Sequence, residues 1–292
     1  MMLTLTFLGV GNAFAKRSFQ SNALLEAWAT APEQQPEPDA TLLIDFGTTG
    51  PQALHQLKEV PGFGYLKRQD TVDYSKIGYV FITHQHGNHI GGLEELALLN
   101  MFAFAGVRGG LRPQLLSSPE ILENLWEHSL KGGLGVIHGR AATLEDYFVS
   151  RPVRTDVAQA ERFTWAGRYE LQPFVTDHVR LGAKYDWPSL GLLIRDGASR
   201  ASVFFSGDTG FDFEAYGEMM GRARLCFHEV HLGDEELAVH SSLSQLRTLP
   251  EAIKKKTYLY HYSDDWDCGR YEVVQQEFAG FARPFHRYVL FD

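Results

Sequence analysis

Apolar residues along this chain fall into short blocks of about four to eight, separated by glycine, proline and acidic clusters, with a few longer stretches at helical spacing. Residues 3–8, Leu-Thr-Leu-Thr-Phe-Leu, predict a strand, and Gly9-Val10-Gly11-Asn12 a tight turn after it. Further strands are expected at 22–28 and 40–45. Between them, residues 31–39 carry three prolines and three acids, which suits a solvated hairpin tip and not a domain linker. Residues 51–60 place Ala53, Leu54, Leu57 and Val60 at helical spacing, and residues 77–83 form another strand. A helix is expected at 90–104, with Gly91 and Gly92 allowing close packing at its start, then a strand near 114–116, a helix at 119–130 and a glycine turn at 132–135. Later strands are expected at 168–176, 190–195, 202–206, 223–230, 257–261 and 287–291. No fixed-period repeat is present. This alternation predicts one α/β domain over residues 1–292, with two sheets flanked by helices.

Composition narrows the class. With 44% hydrophobic and 22% charged residues over 292 positions, the chain can bury a large core and is not a disordered segment. Its 27 Lys and Arg against 36 Asp and Glu give a net charge of −9, the wrong balance for a general nucleic-acid coat. No stretch approaches the roughly 18–20 uninterrupted apolar residues of a membrane span, and residues 3–10 have neither a basic leader nor a cleavage site. Two cysteines, Cys226 and Cys268, make no disulfide framework, so the cytoplasm is the expected compartment.

The twelve histidines change the picture. His84, His86 and His89 stand at relative positions 0, 2 and 5 where an apolar strand gives way to a helix. Side chains two apart at a strand end point the same way, so His84 and His86 can share an ion, and a turn at Gly87 lets His89 face the same space. Neutral imidazole suits zinc and similar ions. Three histidines in a solvated loop are the alternative.

The block His84-x-His86-x-Asn88-His89 resembles the signature of the metallo-β-lactamase-fold hydrolases, His-x-His-x-Asp-His. That resemblance spans nearly the whole chain and implies an αββα sandwich of two mixed β-sheets with a dinuclear metal site at one sheet edge. It implies further ligands at His178, Asp208 and His261: His84, His86 and His178 on the first ion, His89 and His261 on the second, Asp208 bridging. Alone, Gly207-Asp208 is ordinary turn chemistry and His261 fits a core histidine; only the set makes them ligands. Zinc is favoured by ligand type, with manganese the alternative.

Asn88 departs from the pattern. An amide oxygen can coordinate but brings no charge and is no base. Two divalent ions contribute about +4, which Asp208 and a bridging hydroxide reduce to about +2, against about +1 with the usual carboxylate. Second-ion affinity should fall. The chain then either works with one tight and one loose ion, keeps binding without catalysis, or carries an alteration that traps a ligand.

Glu229, with His240-Ser241-Ser242 after it, resembles the paired motif of the RNase Z-like phosphodiesterase branch, where a glutamate orients a histidine that protonates the leaving oxygen. With a metal-activated hydroxide as nucleophile and His240 as general acid, Asp208, Glu229, His240 and Asn88 become the catalytic candidates. The plain alternatives are a surface glutamate and a near-cap histidine. His228 and His231 beside the motif have no role beyond substrate contact. Phe7-Leu8-Gly9-Val10-Gly11-Asn12-Ala13 and Ser21-Asn22 also resemble this branch, and Asp45 fits either a brace for the histidine loop or a simple turn.

A tRNA 3′-processing nuclease would need a basic, glycine- and proline-rich arm, and the residues between His89 and His178 have no Lys/Arg-dense run. The general run of the chain, including Gly91-Gly92-Leu93-Glu94-Glu95, is instead similar to cyclic-nucleotide phosphodiesterases of the anti-Pycsar type, which implies a small phosphodiester substrate, no long nucleic acid, no membrane and a homodimer. Tyr258, Tyr260, Tyr262 and Trp266 are either base-stacking or packing aromatics, and residues 131–135 and 177–186 are candidate lids. Competing readings are a nucleotide-binding homologue impaired at Asn88 and an ester, thioester or lactone hydrolase.

Overall fold

The computed structural model describes residues 1–103, 112–155, 161–179, 187–233 and 235–292. The chain divides into two compact units: Met1–Gly9, Asn22–Pro152 and Phe285–Asp292 form one, Val10–Ser21 and Val153–Pro284 the other.

The first unit holds a seven-stranded sheet in the order Val149–Pro152, Gln114–Ser117, Tyr79–Phe81, Ala40–Ile44, Asn22–Trp28, Met2–Gly9, Arg287–Phe291. The first three joins are parallel and the rest antiparallel. Asn22–Trp28 is buried along its whole length, as the apolar run predicts, even at Glu26. That carboxylate accepts from Thr4 Oγ1 at 3.1 Å, Tyr65 OH at 2.8 Å and Arg287 Nε at 3.0 Å. Burial raises the Glu26 carboxyl and Arg287 opposes the rise. The helix Gly50–Leu57 buries Ala53, Leu54 and Leu57, and stops short of Val60. The helix expected at 90–104 is broken into Gly87–Ile90, Leu93–Leu98 and a wider turn at Leu99–Ala103, with Phe104 outside the described residues. The glycine turn at 132–135 is also corrected. Lys131–Leu134 is helical, with Leu134 buried and the Gly135 N–H donating to Lys131 O at 2.9 Å.

The second unit holds a sheet in the order Phe163–Trp165, Tyr169–Thr176, Ser189–Asp196, Ser202–Phe205, Leu225–Glu229, Thr257–Tyr260, Gly280–Phe281. Its first three joins are antiparallel and its last three parallel. Asp196 closes the antiparallel half, accepting from Arg168 Nε at 2.6 Å, Ser199 Oγ at 2.6 Å and the Ser199 N–H at 3.0 Å. The Arg168 guanidinium holds its carboxyl well below the usual range. A depressed folded-state pKa stabilises at pH values above the unfolded one and is lost as pH falls through the folded one. Asp196→Asn should therefore cost about 1.5–3 kcal/mol at pH 7, with most of that cost persisting near pH 3 because the folded-state carboxyl is still ionised there, measured by urea unfolding at both.

In each unit the parallel strands run so that their carboxyl ends carry polar residues in place of apolar ones. Ala40–Ile44 delivers Asp45 and Tyr79–Phe81 delivers His84; Ser202–Phe205, Leu225–Glu229 and Thr257–Tyr260 deliver Asp208, Glu229 and His261. Carboxyl ends of parallel strands are where α/β folds build ligand sites.

Candidate functional site

The predicted residues form two sets, one in each unit. In the first, His84, Asn88 and His89 are buried and His86 is half-buried. His84 Nε2 lies 3.0 Å from His86 Nδ1, and the rings of His84 and His89 are 4.1 Å apart. Two ligand nitrogens around a tetrahedral zinc, with bonds of 2.0–2.1 Å, stand about 3.3 Å apart, so the pair is spaced for one cation. Asp45 sets the tautomers. It accepts from the Thr83 N–H and Thr83 Oγ1, both at 2.8 Å, and lies 2.7 Å from His89 Nδ1, while Thr83 Oγ1 is 3.0 Å from His84 Nδ1. With protons held on both Nδ1 atoms, Nε2 carries the lone pair. Burial raises the Asp45 carboxyl, and His89 is the largest influence pulling it back.

The histidine loop is fixed by backbone and not by packing alone. Phe46 N–H donates to His89 O at 2.7 Å, Gly92 N–H to Phe46 O at 2.8 Å, and Gly47 N–H to Asn22 Oδ1 at 2.6 Å. A Cβ on Gly47 would lie 1.8 Å from the Asn88 carbonyl oxygen, which leaves room for glycine alone. Asp45, at φ 61°, makes the reversal that brings residues 46–48 against this loop. Gly91 is equally confined, its Cβ position 2.3 Å from Thr48 Oγ1.

In the second unit, His261 Nε2 is 3.2 Å from Asp208 Oδ2. His178 Nδ1 is 2.6 Å from the Val239 carbonyl, a bond that needs the proton on Nδ1 and leaves Nε2 to ligate. Ligand atoms of His178, Asp208 and His240 lie within 4.8 Å of one another, as do those of Glu229, His240 and His261. The imidazole and carboxylate donors in both sets fit a zinc-type ion. Asp208 follows Gly207 at φ 62°, and His261 itself sits at φ 62°, so both donors are aimed by left-handed backbone at strand ends.

Glu229 is fully buried, which rules out the surface alternative. Its Oε1 accepts from the Ser241 N–H at 2.9 Å and lies 3.3 Å from His240 Nδ1. Burial pushes the Glu229 carboxyl up, and His240 is the main influence the other way. The His240 ring, half-buried, stacks on His261 at 5.0 Å and lies 4.9 Å from His178.

Other expectations are corrected. His228 is closed off from solvent: it is buried between Phe204 and Tyr216, its Nδ1 2.8 Å from Glu229 O, and burial lowers it to about 4. Tyr260 and Tyr262 are core residues whose hydroxyls donate to Gly207 O and Ala282 O at 3.1 and 2.6 Å. Residues 180–186 of the second candidate lid lie outside the described residues. The sequence reading also missed the bond between Asn22 and Gly47, whose only signal was the polar residue opening a buried strand.

Residues 3–288 match the family model described as anti-Pycsar protein Apyc1. A relative from Paenibacillus sp. (strain J14), "Anti-Pycsar protein Apyc1", is 36% identical over 95% of this chain and 96% of its own length. Among solved structures, the metallo-β-lactamase fold protein YhfI from Bacillus subtilis superposes with a TM-score of 0.67 at 15% identity, covering 99% of this chain and all of the other. A diphosphatase from the PhnP family reaches 0.68 at 18% identity, covering 100% and 99%. These two likenesses are of fold, and they agree with the two mixed sheets described above. The full-length sequence match adds kinship to that fold: this chain belongs to the anti-Pycsar protein Apyc1 family, within the metallo-β-lactamase fold.

Proposed function

We propose that the protein is a metal-dependent phosphodiesterase acting on small phosphodiesters, with cyclic nucleotides as the preferred class. In this reading the residues that would hold the divalent ions are His84, His86, Asn88 and His89 of the first unit and His178, Asp208 and His261 of the second. The observation that carries the reaction type is the Glu229–His240 pair, a buried carboxylate beside an imidazole stacked on His261. When bound, the ions supply an activated water and neutralise charge on the phosphoryl oxygens. The chain's own groups do the rest. Asp45, Thr83 and the Val239 carbonyl hold the ligand tautomers. Glu229 keeps the His240 Nδ1 proton in place, so that Nε2 delivers its proton to the departing alkoxide. Zinc as the resident ion with manganese as its substitute, a homodimer and a cytoplasmic location complete the proposal. No helix among the described residues is long and apolar enough to cross a membrane.

A second reading, a nucleotide binder without turnover, is favoured by Asn88 alone. One experiment separates them: metal content per chain, with and without added zinc or manganese, alongside turnover of 3′,5′-cyclic nucleotides by the unmodified chain and by Asn88→Asp. The enzyme reading expects measurable turnover of the unmodified chain, and tighter retention of the second ion in Asn88→Asp. Turnover seen only in Asn88→Asp would establish the binder.

A further inference from the structure

An apolar side chain standing alone in solvent is ordinary, so the 84% exposure of Phe14 says little by itself. The way it is mounted says more. Phe14 lies in the Val10–Ser21 segment of the second unit, and that segment is braced along its length. Gly11 N–H donates to Phe19 O at 2.7 Å and Ser21 N–H to Gly11 O at 2.9 Å. Asn12 Oδ1 accepts the Phe14 N–H at 3.0 Å, and Gln20 Nε2 donates to Ala13 O at 3.0 Å. On the far side, Asp264 accepts the Lys16 N–H at 2.6 Å, and Arg17 pairs with Asp267 at 2.7 Å. A loop this thoroughly tied presents the Phe14 ring to water in a fixed place, while its other ring, Phe19, is half-buried.

That place is next to the chemistry. Tyr262 N–H donates to Val10 O at 3.2 Å and Asn12 N–H to Tyr262 O at 3.0 Å, so the base of the loop is stitched to the residue directly after His261. The Phe14 Cα is two steps from that of Asn12, within about 7.6 Å. His261 in turn stacks on His240 and reaches Asp208. The other aromatics near His261 are committed: Tyr260 and Tyr262 are buried, and Trp266 packs against Tyr262 and Phe281 at 5.4 and 5.5 Å. Among the described residues of this unit, the exposed large apolar side chains are Phe14, Val175 and Val273, and only Phe14 has a π face.

We infer that Phe14 is the platform on which the substrate's nucleobase stacks, and that it makes the site prefer nucleotides over phosphodiesters without a base. The inference rests on the phosphodiesterase reading and adds a specificity residue to it. Stacking tolerates every base, so purine and pyrimidine substrates should both depend on the ring.

The test uses the full-length, metal-loaded protein. Phe14→Ala should raise KM for a 3′,5′-cyclic nucleotide about tenfold with kcat within about twofold, Phe14→Trp should restore it, and Phe14→Leu should not. KM for ribose 3′,5′-cyclic phosphate, which has no base, should stay where it is. An unchanged KM in Phe14→Ala, an equal rise for the base-free ester, or rescue by leucine would overturn the assignment. So would a change in oligomeric mass in Phe14→Ala, which would give the ring to a contact between copies. If the unmodified chain turns over no cyclic nucleotide, the phosphodiesterase reading fails on its own. Stacking is then decided by equilibrium dialysis with a nucleoside 5′-monophosphate and ribose 5-phosphate. Weaker binding of only the nucleotide by Phe14→Ala sustains it, and equal binding ends it.

Discussion

His86→Ala should lose bound metal and phosphodiester turnover together. The loss should exceed the ~10- to 100-fold seen when a ligand's hydrogen-bond partner is removed, because here a donor itself is gone. The position makes a clean test. His86 is half-buried at the start of a short helix, so truncation opens a space that water can fill and leaves the sheet beneath it intact. His84 Nε2, now 3.0 Å from His86 Nδ1, would face that water. Metal analysis on the purified variant, with a thermal melt in excess chelator to show that the apo-fold is unharmed, gives the answer. Full metal content with full turnover would remove His86 from the ligand set.

His240→Ala should separate the two properties that His86→Ala loses together. Metal content should stay at the unmodified level while turnover of an alkyl phosphodiester falls by roughly 10² to 10⁴, the usual worth of an acid catalyst. Two signatures mark an acid and not a structural residue. The fall in kcat/KM on the alkaline side, where an acid loses its proton, should vanish in the variant. The defect should also shrink on bis(4-nitrophenyl) phosphate, whose leaving group departs without protonation. Glu229→Gln should reproduce part of the loss, since Oε1 holds both His240 Nδ1 and the Ser241 N–H. A kinetically silent His240→Ala would take the chain out of the acid-assisted scheme.

The strands were legible because their apolar runs are unambiguous. Residues 22–28 and 287–291 match Asn22–Trp28 and Arg287–Phe291, where burial along the whole strand in the first and a largely apolar run in the second leave no competing structure. Strand ends are expected too long by a residue or two before Asp45, His84, Asp208 and His261, while the end at Thr176 before His178 agrees. Asp45 and His261 leave the strand through left-handed backbone that no propensity anticipates. The helix Phe213–Arg222 escaped notice, although the Asp212 cap and the spacing of Tyr216 and Met220 were there to be seen. Short edge strands such as Val149–Pro152 and Gly280–Phe281 carry too few residues to show a period. For the site, His84, His86 and His89 announce themselves by spacing, whereas the bracing by Asn22, Gly47 and Thr83 joins groups far apart in sequence that no local pattern brings together.

The route of the chain through its two units has a bearing on how the fold is completed. The first sheet takes its outermost strand from the last residues, Arg287–Phe291, pairing antiparallel with Met2–Gly9. Arg287 also supplies the counter-charge to the buried Glu26 and lies over the Phe63 ring at 4.1 Å. Until Arg287–Phe291 docks, that carboxylate lacks its cation and an edge of the sheet stands bare. The segment bearing the three clustered imidazoles therefore sits on a scaffold whose closure waits on a pairing between residues nearly 300 apart in sequence, about the slowest kind of contact a chain can make.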